Sequence, residues 1–125
     1  MTALDAGLRR VELAPAAALF RSLADPARLA IVRRLAAGEA RVVDLVGDLG
    51  LAQATVSAHL ACLRDCGLVV SRPVGRASLF RLDRPELHEL LAAAEAVLAA
   101  TGSAVALCPE CGTGQNRRGG GLADE

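Results

Sequence analysis

Apolar positions recur at helical spacing through most of this chain. In the run APAAALFRSLADPARLAIVRRLAAG, residues 14 to 38, they form two helical stretches split by a stop-and-start signal. Asp25 is a capping residue, Pro26 fits a first helical position, and the residue before a proline is biased out of helix. Gly38 closes the second stretch. Leu29, Val32 and Leu35 or Ala36 share one face of it, which sends Arg28, Arg33 and Arg34 towards other faces. A short helix is predicted over residues 42–49 with Gly50 as its terminator, and a longer one from Ala52 or Gln53 to Cys66, just ahead of Gly67. In the longer helix Val56, Leu60 and Leu63 make the apolar stripe, so Gln53, Thr55, Ser57, Ala58 and His59 lie wholly or partly off it.

The period then changes. LVVSRPVGRASLFRL, residues 68 to 82, predicts two short strands, 68–72 and 77–82, joined by a turn over 73–76 in which Gly75 supplies backbone freedom. Asp83 and Pro85 mark another helix start, and Leu87, Leu91, Ala94 and Leu98 give that helix an apolar face before Gly102. So apolar a terminal helix is expected to pack against a second chain as well as its own domain. The organisation expected is one domain over residues 1–102 and a Cys-containing, Gly-rich flexible tail over 103–125. Two short helices joined by a tight glycine turn make a helix-turn-helix, and the hairpin after them reads as a wing. The fold class is therefore mainly α with a small β-hairpin, a winged helix-turn-helix.

Composition changes this picture little. At 125 residues, with 2% aromatics and neither Trp nor Tyr, the core must be built from Leu, Val, Ile and Ala. Charge distribution adds more. The formal net charge is +0, yet between Pro26 and Pro85 nine arginines face five acids, and the flanks carry the opposite excess. The middle suits an anionic partner. Small polar side chains on residues 53–59 suit a DNA groove, and Arg72 and Arg76 on the wing, with Arg81 as a further candidate, suit phosphates. No basic n-region precedes the first apolar stretch, so a cytoplasmic chain is expected. Residues 90–107 are nearly apolar, but Glu95, Gly102 and the many alanines favour a buried helix over a membrane span.

There are four cysteines. Cys62 and Cys66 are four apart on one helix, where Cβ atoms stand about 5 to 6 Å apart, farther than the roughly 3.5 to 4.5 Å of a disulfide. Both thiols can instead turn towards one ion, and soft thiolates favour soft metals. Two ligands from one helix make a poor site, and Cys108 with Cys111 in CPECG can supply the rest. A buried cysteine is a common small core residue, but two chelating pairs would require that coincidence twice. No base pairs recognisably with any cysteine, which argues against a thiol enzyme. A structural zinc module is a further reading, ranked low because the helical core is sufficient without one. His59 is kept as a DNA-facing candidate, and His88 is expected on a solvated helix face.

The order helix, helix, helix-turn-helix, wing, helix, together with LADPARLAIVRRLAAG and ATVSAHLACLRDCGLV, resembles the ArsR/SmtB family of bacterial winged-helix repressors over about residues 15 to 100. The resemblance implies a homodimer that binds an inverted-repeat operator on double-stranded DNA and leaves it when a metal or another effector binds. It also implies the kind of site. Residues 41–49 hold no cysteine, and the terminal helix has His88 but no second histidine, so two sensing sites carried by some relatives are not matched. Cys62, Cys66 and Cys108 are similar to the cadmium and lead sensor branch typified by CmtR. Cys111 departs from that three-cysteine pattern and leaves the coordination number open. Zinc or arsenite sensing, and a thiol switch driven by oxidants or reactive sulfur, are the alternative readings on the same fold.

Overall fold

The computed structural model describes residues 10–107. From Ala14 onward, among the described residues, five helices and one hairpin follow in order: α1 (Ala14–Leu23), α2 (Pro26–Ala36), α3 (Val42–Leu49), α4 (Gln53–Asp65), β1 (Val69–Val74), β2 (Ala77–Leu82) and α5 (Glu86–Ala100). The break between α1 and α2 is made by the residues that predict it. Asp25 accepts the Arg28 N–H at 3.0 Å as a side-chain cap, and Pro26 occupies the first turn, where no N–H is needed. The Arg28 guanidinium reaches back to the carbonyls of Ser22 (2.7 Å) and Arg21 (3.1 Å), satisfying the C-terminal end of α1. One four-residue segment thus closes one helix and opens the next.

Asp44 plays a similar part at α3, accepting the Arg41 N–H at 2.9 Å. Gly50 ends that helix in the left-handed region, at φ 67°, with its N–H on the Val46 carbonyl. The chain then turns at once into α4, whose Val56, Leu60 and Leu63 are at most 1% exposed. They pack with Ile31, Val32 and Leu35 of α2, Leu45 of α3, Phe80 of β2 and Leu87 and Leu91 of α5 into one aliphatic core. Stacking the stripe of α4 on α2 and α3 fixes which face of α4 is left outside.

The hairpin is antiparallel, with Val69 opposite Leu82 and Val74 opposite Ala77. Its turn is only Gly75 and Arg76, with Gly75 at φ 62° in the first central position, the arrangement of a II′ turn. The strand expected to stop at residue 72 therefore runs on through Pro73. The reason lies in the register. Phe80 exchanges both backbone hydrogen bonds with Ala40 on the far side of β2 (3.0 and 2.8 Å), so its partner Ser71, and Pro73 two residues on, aim their nitrogens at the open edge of β1. A proline there forfeits no ladder bond.

After α5 the chain doubles back. The Ser103 N–H donates to the Leu98 carbonyl at 2.8 Å, and Leu107 is 6% exposed in the main core. Its N–H donates to a carboxylate oxygen of Glu95 at 2.6 Å, which places an acidic side chain inside an otherwise apolar helix face. Arg33 contacts the Ala106 carbonyl at 3.3 Å. His88, expected in solvent, is half-buried instead, because it stands one helical turn before the buried Leu91. Among the described residues no helix is long and apolar enough to cross a membrane.

Candidate nucleic-acid interface and thiol site

Burial of the α4 stripe turns the early part of that helix outward: Gln53, Ser57 and Ala58 are exposed and Thr55 is half-buried. Beside Gln53 lies a cleft of about 440 Å³ lined largely by Val42, Val43, Val46, Ala77 and Phe80, between the start of α3 and the hairpin. His59 does not face outward with its neighbours. It is half-buried, and its Nε2 stands 3.7 Å from Asp25, the cap of α2. The Asp25 carboxyl is held below the ordinary carboxylate range, first by the Arg28 N–H it accepts and also by His59. His59 therefore lies against the α1–α2 junction rather than in the row of exposed side chains.

The arginines divide sharply. Arg72 is engaged: its Nε and a terminal nitrogen donate to the two Glu39 oxygens at 3.1 and 3.0 Å. This two-pronged bond, with Arg72 and Arg81 nearby, holds the Glu39 carboxyl below its usual range. Arg34 is paired with Asp48 and Arg41 with Asp44. Arg76 at the hairpin turn and Arg64 on the last turn of α4 make no hydrogen bond or ion pair among the described residues. They are exposed, unneutralised cations. The sequence puts Arg72 and Arg76 together, but the fold pairs Arg72 and, among the described residues, gives Arg76 no partner.

The two cysteines keep the spacing that draws them together. Cys66 sits at the C-cap of α4, yet its N–H still donates to the Cys62 carbonyl at 3.1 Å, so the helical geometry extends to it. Cys62 is half-buried and Cys66 exposed. Ser22 on α1 was not anticipated. Its hydroxyl donates to the Ala18 carbonyl at 2.9 Å, and the Cys66 Sγ stands 3.0 Å from the same oxygen. A polar residue on the inward side of an alanine-rich helix was the one signal for it. Among the described residues no group of three or more His, Cys, Asp or Glu side chains could hold a metal ion. The expectations for Cys108 and Cys111 lie outside the described residues.

The described donor set is thus two thiols one helical turn apart, which fits a soft ion needing further ligands from elsewhere. Set against known proteins, residues 25–71 match the model of the bacterial regulatory protein, arsR family. A probable mercury resistance operon repressor from Streptomyces lividans is 34% identical over 102 residues, covering 81% of this chain and 82% of that protein. The HTH-type transcriptional regulator CmtR of Mycobacterium tuberculosis is 43% identical over 75 residues, covering 60% of this chain and 64% of the regulator. Among solved structures, the homodimeric winged helix-turn-helix DNA-binding domain Mb0332 from Mycobacterium bovis superposes with a TM-score of 0.65 at 29% identity, over 79% of this chain and 88% of that one.

Proposed function

Given that the chain belongs to the arsR family of bacterial regulatory proteins, and is a transcriptional regulator rather than an enzyme, we propose that it is a metal-responsive repressor. The observation that carries this reading is the placement of Cys62 and Cys66 on the helix that also exposes Gln53, Ser57 and Ala58. Reading and sensing share one rigid element. A homodimer presents two copies of α4 to successive major grooves of an inverted-repeat operator, with Gln53, Thr55, Ser57 and Ala58 at base edges and Arg76 and Arg64 on phosphates. His59 lies against Asp25 instead, and Arg72 joins the phosphate contacts only by leaving Glu39. The second copy docks on the apolar surface that α1 and α5 leave open, where Phe20 is 59% and Val97 62% exposed.

The effector is a soft ion, cadmium or lead first, with mercury suggested by the Streptomyces relative and zinc or arsenite as alternatives. Cys62 and Cys66 supply two thiolates, and Cys108, alone or with Cys111, completes the set. Binding an ion at the end of α4 constrains the helix that reads DNA. Metal and operator then oppose each other, and each weakens the other by the same factor.

The test is a titration of cadmium, lead, mercury, zinc and arsenite against the protein on a labelled duplex selected by the metal-free protein from a random pool, at fixed salt. Release by at least one ion is expected, and release by none refutes the reading. Replacing Cys62 and Cys66 together by serine should leave duplex binding within about twofold and abolish release. Release by peroxide in metal-free buffer would transfer the function to a thiol switch.

A further inference from the structure

Ser22 is 6% exposed, and its hydroxyl oxygen is shared between the Ala18 carbonyl and the Cys66 sulfur. A hydroxyl has one proton. While that proton lies on Ala18, the contact with Cys66 has to be donated by the thiol, and when it turns to Cys66 the hydroxyl is the donor. Metal capture requires the thiolate: the S–H bond breaks, the proton goes to solvent, and the sulfur electron pair faces the ion. The sulfur can then only accept. The nearest donor is the Ser22 hydroxyl, already 3.0 Å away. Turning it costs little, because the Ala18 carbonyl, four residues back, remains the helical acceptor of the Ser22 N–H.

We propose that Ser22 is a positioning residue of the thiol site: its buried hydroxyl fixes the Cys66 sulfur against α1 and, once an ion replaces the thiol proton, turns from Ala18 to donate to that sulfur. The inference rests on the metal-sensor reading above. It ties the site to α1, whose Phe20 is part of the exposed apolar surface. A hydroxyl donor also sets the electron density on the sulfur, as outer-sphere partners do for metal ligands generally.

Cadmium titrated into the 125-residue protein, in competition with a chelator and followed by thiolate charge-transfer absorbance, tests this. Ser22→Ala is a helix-favouring replacement that removes only the hydroxyl. It should weaken cadmium binding about tenfold, the effect of one hydrogen bond to a charged acceptor. It should also move the charge-transfer band to longer wavelength without changing the number of thiolates bound, and Ser22→Thr should restore both affinity and band position. Unchanged affinity and band in Ser22→Ala, or tighter binding, overturns the proposal, and equal loss in both variants reduces Ser22 to a packing residue. If the unmodified protein develops no thiolate band with cadmium, the metal-sensor reading fails for that ion and this inference falls with it, a result distinct from a Ser22 variant behaving like the parent.

Discussion

Replacing Arg76 by alanine should flatten the salt dependence of operator binding much more than replacing Arg72. Arg76 occupies the exposed turn of the hairpin without an internal partner among the described residues, so a phosphate contact there requires no other bond to break. Each duplex phosphate neutralised contributes about 0.9 to the slope of log K against log salt. Two copies of Arg76 in a dimer contribute about 1.8, so over a fourfold rise in salt the parent should lose roughly tenfold more affinity than Arg76→Ala. Arg72 is held by both oxygens of Glu39, and Arg72→Ala should change the slope by well under half as much. Glu39→Gln, which weakens that hold, should steepen the slope. Fluorescence anisotropy on one labelled duplex across a salt series measures all three. Equal flattening by Arg72→Ala and Arg76→Ala would refute the reasoning, because the Glu39 pair would then not survive in the complex.

Leu60 is 1% exposed at the centre of the stripe, and Leu60→Ala should lower unfolding free energy by about 2 to 5 kcal/mol in urea denaturation. Asp25, Glu39 and Asp44 are all held below their ordinary carboxylate values; their contribution is therefore present above the unfolded carboxylate range and lost as pH falls through the depressed values. Midpoints of denaturation should hold between pH 5 and 7 as far as these groups are concerned, and fall below about pH 4. Asp25→Asn, which keeps a capping oxygen, should reduce that acid sensitivity. Glu95→Ala removes the acceptor of the Leu107 N–H, so hydrogen exchange at Leu107 should accelerate by at least tenfold, while Leu60 on α4 should be little affected.

What could be read in the chain was what neighbouring residues decide. The Asp25–Pro26 junction, the Gly50 stop, the Val56, Leu60 and Leu63 stripe and the bounds of β2 all follow from caps, breakers and period, and the fold retains them. What escaped was settled by residues far apart in sequence. Arg72 meets Glu39 across 33 positions and Cys66 meets Ser22 across 44. No local pattern distinguishes a paired arginine from a free one. His59 shares the helical turn of Ser57 and Ala58, yet its longer side chain reaches Asp25 once α2 is packed alongside. Pro73 looked like a turn residue because its cost in a strand depends on which way its nitrogen points, and only the pairing of Phe80 with Ala40 decides that.

The same proline governs what the hairpin can meet. β2 is bonded to β1 along one side and, through Phe80, to Ala40 on the other, while among the described residues the outer side of β1 is left open. An open edge is a template on which a passing strand from another molecule can polymerise. Pro73 removes a donor from that row. That gap makes the open side of the hairpin a poor template for the runaway strand addition that leads to fibrils.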